Sequence, residues 1–211
     1  MSDKNAWTTA EMRQDPAAKQ RAIRRLWQLD LTPGGRRQPY LYAILDAARD
    51  ERIYEGLRRL AATEEVLPLY EGRAATEMAT VAPYLVCLGT GDRVFNWIWE
   101  EGWADSWGIF LWSLVSPERL RAHFRRITMV QIENGQRLLF RFYDPRVLIL
   151  FLPTCGTSQQ TEMFGPVNRF SIENNGGAAI TCLENGPRGL TMVETYLGPC
   201  PHGRSLPASP I

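Results

Sequence analysis

Lysine is nearly absent from this chain: only Lys4 and Lys19 interrupt an otherwise all-arginine set of basic residues. Histidine is as scarce, confined to His123 and His202. An excess of either charge is missing too, since 24 basic residues face 23 acidic ones, for a formal net charge of +1. No block of like charge stands out, so the long-range field that draws proteins to nucleic acids is lacking and a nucleic-acid partner is not expected. Apolar runs are short. The longest, Val147 to Leu152, falls far below the roughly 20 residues of a membrane-spanning helix, so no membrane insertion is expected. Met1 to Trp7 is polar and charged, unlike a secretory leader. The four cysteines (Cys87, Cys155, Cys182 and Cys200) lie far apart without a paired framework. Reduced thiols in a cytoplasmic protein are the corresponding expectation.

What is present is a chain of 211 residues with 45% hydrophobic residues, enough for one compact domain without disulfides or a structural metal. Arginine's planar, weakly hydrated fork suits interfacial ion pairs, although a GC-rich genome is the better explanation of the excess. Asp15-Pro16 supplies an N-cap and a first-turn proline for a helix to Leu29, with Ala22, Ile23, Leu26 and Leu29 at helical spacing. Residues 1–39 are therefore expected to form an N-terminal helical appendage, ended by Thr32-Pro33-Gly34-Gly35. From Tyr40 strands and helices alternate. Strands are expected at Tyr40–Leu45, Val66–Tyr70, Tyr84–Leu88 and Trp107–Leu114, and helices at Asp50–Ala62, at Arg93–Glu101 and from Ser116-Pro117. Asn134-Gly135, a pair favoured in type I′ turns, predicts a hairpin joining Met129–Glu133 to Gln136–Phe142. Asp144-Pro145 starts a further helix. The fold class is α/β: a mixed β-sheet flanked by helices over residues 40–172, since a hairpin sits among crossovers. Short strands around Asn174–Gly177 and Asn185–Gly189 make a short, β-rich hairpin extension over 173–197. The proline-rich 198–211 reads as an irregular tail.

Reactive constellations are sparse. His123, among cations in Arg121-Ala122-His123-Phe124-Arg125, could be kept neutral and act as a base, yet no Gly-x-Ser-x-Gly elbow accompanies it; a structural or interfacial histidine is the better expectation. Cys200-Pro201-His202 offers half of a metal site and no second donor pair, so no metal or other cofactor is expected. Gly89-Thr90-Gly91-Asp92 lacks both the dinucleotide glycine spacing and the Walker lysine, and reads as a turn with a capping aspartate. Aromatics are dense from Phe95 to Trp112. Trp97, Trp99, Trp103 and Trp107 suit a core or a binding face, and helical spacing does not put all of them inside. In Arg141-Phe142-Tyr143-Asp144-Pro145-Arg146-Val147-Leu148, strand alternation sets Arg141 and Tyr143 on one face and Phe142 on the other. Asp144 is placed to cap the next helix while pairing with Arg141, Arg146 or Arg125.

These motifs, in order, resemble the effector adaptors of bacterial type VI secretion, long known only as a domain of unknown function. The matching pieces are Leu41 to Ala48, the strand before Gly89, Trp107 to Leu111 with Ser113, Leu120 to Arg125, Arg141 to Leu148, and Phe164-Gly165-Pro166. The resemblance implies a cytoplasmic, non-enzymatic protein that binds a toxic effector and loads it onto the spike-tip protein VgrG. It places His123, Arg125, Arg141, Tyr143, Asp144, Arg146, Phe164, Gly165 and Pro166 among the family motifs. Two other functions are open to the same residues: a hydrolase-type enzyme using His123 with Asp144 or a cysteine, and an immunity protein that neutralises a toxin by binding it.

Overall fold

A computed structural model describes residues 8–27, 40–60, 66–88, 93–131 and 137–198. The chain enters through α1 (Thr9–Gln14) and α2 (Pro16–Trp27). Thr8 and Glu11 close a capping box at α1, the Thr8 hydroxyl accepting from Glu11 N at 3.2 Å and the Glu11 carboxylate accepting from Thr8 N at 2.8 Å. Asp15 caps α2, accepting from the backbone N–H groups of Ala17 and Ala18. Ala18, Ala22 and Leu26 are buried at i, i+4 and i+8, so this segment packs into the core rather than standing apart as an appendage. Thr32–Gly35 and the predicted end of the helix at Leu29 lie outside the described residues.

The main sheet has seven strands in the order β2-β3-β1-β4-β7-β8-β9. In chain order these are β1 (Tyr40–Asp46), β2 (Val66–Pro68), β3 (Pro83–Leu88), β4 (Gly108–Ser113), β7 (Val167–Asn174), β8 (Ala179–Gly186) and β9 (Gly189–Tyr196). The α/β class holds, with helices on both faces. The strand directions differ from the expected mixture, because every pairing among the described strands is antiparallel. The predicted hairpin forms as β5 (Met129–Gln131) and β6 (Arg137–Leu139), but as a separate two-stranded ribbon that adds nothing to the main sheet. Its Asn134-Gly135 turn lies outside the described residues.

Alternation along β1 sorts the core into two layers. Leu41, Ala43 and Leu45 face α1, α2, α3 (Glu51–Leu60) and α5 (Arg93–Trp97). Tyr42 and Ile44 face α6 (Pro117–Thr128), α7 (Pro145–Phe151) and α8 (Thr157–Phe164). A short α4 (Gly72–Glu77) precedes β3. The strand expected around Asn174–Gly177 proves to be mostly a turn, whereas Asn185–Gly189 holds the adjoining ends of β8 and β9. Asn175, Gly176 and Gly177 all have positive φ, and Pro187-Arg188 links the ends of β8 and β9. β8 and β9, joined by that two-residue turn, form an antiparallel hairpin that pairs with β7 and carries the main sheet to its β9 edge.

Candidate partner-binding site

The Arg141–Leu148 segment meets the end of β1. Asp46, its carboxylate 2% exposed, closes an apolar strand and accepts a hydrogen bond from Ala48 N at 3.1 Å. The Arg141 guanidinium donates to the same carboxylate. That hydrogen bond holds the guanidinium above its ordinary pKa. Beside the pair, Tyr143 is buried against Tyr70, and burial with their mutual hydrogen bond pushes the Tyr143 phenol far up. Strand alternation fails here as a guide: β6 ends at Leu139, residues 142–143 turn, and Phe142 and Tyr143 are both buried.

Asp144 caps α7 by accepting from Arg146 N at 3.0 Å and takes the Arg146 fork through Nε at 2.9 Å and Nη2 at 2.5 Å. Burial opposes ionisation of Asp144, but these bonds outweigh it and hold the carboxyl below its usual range. Of the three arginines considered as its partners, Arg146 is the one that binds it. Arg141 goes to Asp46, and Arg125 pairs with Glu71. Asp144→Ala is expected to lower stability by about 1–2 kcal/mol through loss of the cap, and Asp144→Asn by less, in urea titrations followed by tryptophan fluorescence.

His123, buried on α6, directs Nε2 at the Met163 carbonyl 3.2 Å away. A carbonyl only accepts, so Nε2 carries the proton, and burial lowers the imidazole pKa and keeps the ring neutral. Gly165 ends α8 at φ 47°, ψ −115°. A Cβ there would lie 2.3 Å from His123 Cε1, so glycine is required both by the backbone and by the ring. Phe164 packs edge-on against Phe170 at 5.0 Å, and the Pro166 carbonyl accepts from the Ser113 hydroxyl at 2.7 Å. Phe164-Gly165-Pro166 thus bolts α8 to α6 and β4. The His123 Nε2 is engaged by a backbone carbonyl, while Thr161 and Glu162 border the cavity that His123 lines.

The tryptophans are core. Trp99, Trp103 and Trp107 are fully buried and Trp97 is half-buried, so the expectation that helical spacing forces some to the surface fails. Helix α5 stops at Trp97 and continues as a π-helical turn over Ile98–Gly102, which alters the faces the side chains take. The following loop holds Ala104 and Ser106 at φ 73° and 57°. Glu173 secures it by accepting from Ala104 N at 2.7 Å and from Ser106 N at 2.5 Å, and burial pushes this carboxyl up to about 7. Helix α1 covers the cluster, with Trp99 Nε1 donating to Arg13 O at 3.0 Å. Trp97 packs against Trp107 at 5.1 Å, and the Arg52 guanidinium lies 5.2 Å from the Trp107 ring.

Asp46, Tyr70 and Glu173 escaped the sequence pattern. A lone acid closing the apolar Tyr40–Asp46 run was a usable sign that a cation must reach it; nothing local marks the other two. Cys200-Pro201-His202 and Gly89–Asp92 lie outside the described residues.

The chain is 29% identical over 117 residues to the accessory protein VasW of Vibrio cholerae serotype O1 (strain ATCC 39315 / El Tor Inaba N16961), covering 56% of this chain and 39% of VasW. It thus spans about two fifths of that relative's length. No solved structure matches it. The family model described as domain of unknown function DUF4123 matches residues 41–162, more than half of the chain, from β1 into α8. The chain belongs to the DUF4123 family.

Proposed function

We propose that this protein is an accessory protein of type VI secretion that binds an effector and loads it onto the VgrG spike, without catalysing a reaction. The family and the similarity to an accessory protein support the secretion role. The observation that carries the adaptor reading is how the motif side chains are engaged. Arg141 holds Asp46, Arg146 holds Asp144, Arg125 holds Glu71, and His123 holds a backbone carbonyl. Charges locked in this way stiffen a scaffold; they are not poised over a substrate. Apolar side chains are nevertheless left on the surface, Leu150 at 73% exposure and the cross-strand pair Met129 and Leu139, as a protein-binding surface requires. Among the described residues no helix is long and apolar enough to cross a membrane. Cytoplasmic residence follows from the proposed role, since loading precedes export.

Co-expression of the tagged chain with an effector and VgrG from its own genome is expected to yield all three in one complex. Deletion of its gene is expected to abolish effector delivery while the producing cell stays healthy. Recovery of neither partner would overturn the proposal. So would self-intoxication on deletion, which marks an immunity protein.

A further inference from the structure

Between α6 and α8 the surface opens into a cavity of about 490 Å³. Arg119 and Arg126 line it from α6, Thr161 and Glu162 from α8, and His123 and Gly165 also border it. Arg119, His123 and Arg126 stand at i, i+4 and i+7, which places them on one face of the helix. His123 is neutral, so the local balance is two cations against the single carboxylate of Glu162.

Many other arginines in this chain are occupied; Arg24, Arg25, Arg59, Arg93 and Arg188 also lack a partner among the described residues, but they do not line this cavity. Arg13, Arg21, Arg52, Arg58, Arg73, Arg125, Arg141, Arg146 and Arg169 each pair with an acid. Arg121, also on α6, donates to the Pro68 carbonyl at 2.7 Å. Arg119 and Arg126 are exposed and make neither an ion pair nor a hydrogen bond among the described residues. Two exposed, unpaired guanidinium forks thus flank a polar cavity whose walls are held rigid by the His123–Met163 bond and the glycine turn.

From this arrangement we infer that the α6–α8 cleft takes an acidic peptide segment of a protein partner, with two of its carboxylates seated on Arg119 and Arg126. The inference rests on the adaptor reading and deepens it by giving the partner's chemistry. Seven helical residues separate the two arginine positions by about 10 Å along the helix axis. An extended chain rises about 3.3 Å per residue, so acids three positions apart match that spacing. Each guanidinium offers a fork for a carboxylate, and a cavity of this size holds a few side chains. A nucleic acid is disfavoured: two cations opposed by Glu162 are a small footprint for a polyphosphate backbone. The exposed Met129 follows directly on the C-terminal end of α6 and, with its cross-strand partner Leu139, offers apolar contact to the same segment.

The test titrates the full chain with hexaglutamate peptide and, separately, with inorganic phosphate, following amide shifts by NMR. Hexaglutamate is expected to shift α6 and α8 resonances. Arg119→Glu with Arg126→Glu should weaken that binding roughly tenfold or more, and Glu162→Gln should strengthen it. Because all three side chains are solvent-facing, thermal unfolding of the variants should be unchanged. The effector and VgrG complexes are then assembled with wild type and with the double variant. Loss of one partner only in the variant supports the cleft and says which partner supplies the acids. Normal assembly of both complexes by the double variant overturns the inference and leaves the adaptor reading standing. A wild-type chain that binds hexaglutamate at the cleft but neither protein overturns the adaptor reading while upholding an acidic-peptide site. Binding of phosphate alone, or no hexaglutamate binding by wild type, overturns the inference.

Discussion

Trp103→Ala is expected to lower the unfolding free energy by about 3–5 kcal/mol, the range for removing a large aromatic from a packed core. Trp103 is 0% exposed and touches several elements at once. Its ring lies 4.8 Å from that of Trp99 and 6.0 Å from that of Phe110, and its Nε1 donates to Gly177 O at 2.9 Å in the β7–β8 turn. Truncation therefore opens a cavity, leaves a buried carbonyl without its donor, and loosens the loop in which Ala104 and Ser106 sit at positive φ. Trp103→Phe keeps much of the volume and loses the indole donor, so a smaller loss is expected. Guanidinium unfolding followed by circular dichroism measures both. The two sides of the assignment separate cleanly: a binding-face tryptophan would weaken effector or VgrG assembly with an unchanged midpoint. An Ala variant as stable as wild type would refute the core placement.

Arg141→Ala is expected to be destabilising by about 2–3 kcal/mol, below the 3–5 kcal/mol typical of breaking a fully buried pair. The discount has a structural reason. The Asp46 side chain is 2% exposed but that of Arg141 is 41% exposed, so water can reach part of the vacated space. What remains is a buried carboxylate with the Ala48 N–H as a donor, at the junction of β1, β6 and α7. Arg141→Lys should recover only part of the loss, because an ammonium does not reproduce the fork. A double-mutant cycle with Asp46→Asn checks the mechanism by urea denaturation. The double variant should lose clearly less than the sum of the singles, since each single change leaves the other group unpaired. Additive losses would show that the two side chains act independently.

These two sites differ in how far they could be read from local pattern. Arg141 stood out as a charged residue among aromatics at a cap-and-proline junction, and Asp144 was identifiable as a cap because capping is a contact between near neighbours. Arg141's acid is 95 residues away in sequence, so no local rule could choose Asp46 over Asp144. The tryptophans failed for a related reason. Amphipathic spacing assumes one regular helix, and the turn after Trp97 is π-wound, while the cover on the far side comes from α1, some 86 residues earlier. Strand directions and the joining of the C-terminal strands to the main sheet were missed because pairing partners are set by the whole sheet rather than by each strand.

The sequence by itself determined what depends on neighbours along the chain: helix starts at Asp15-Pro16 and Asp144-Pro145, the Met129–Leu139 hairpin, the short apolar strand from Tyr40, and the ordered motifs that disclose the family. Only the tertiary structure decided which charges meet, which tryptophans are covered, and that Arg119 and Arg126 are left unpaired over a cavity. Burial and ion pairing between distant segments depend on the packing of every element at once, and no window of residues carries that information.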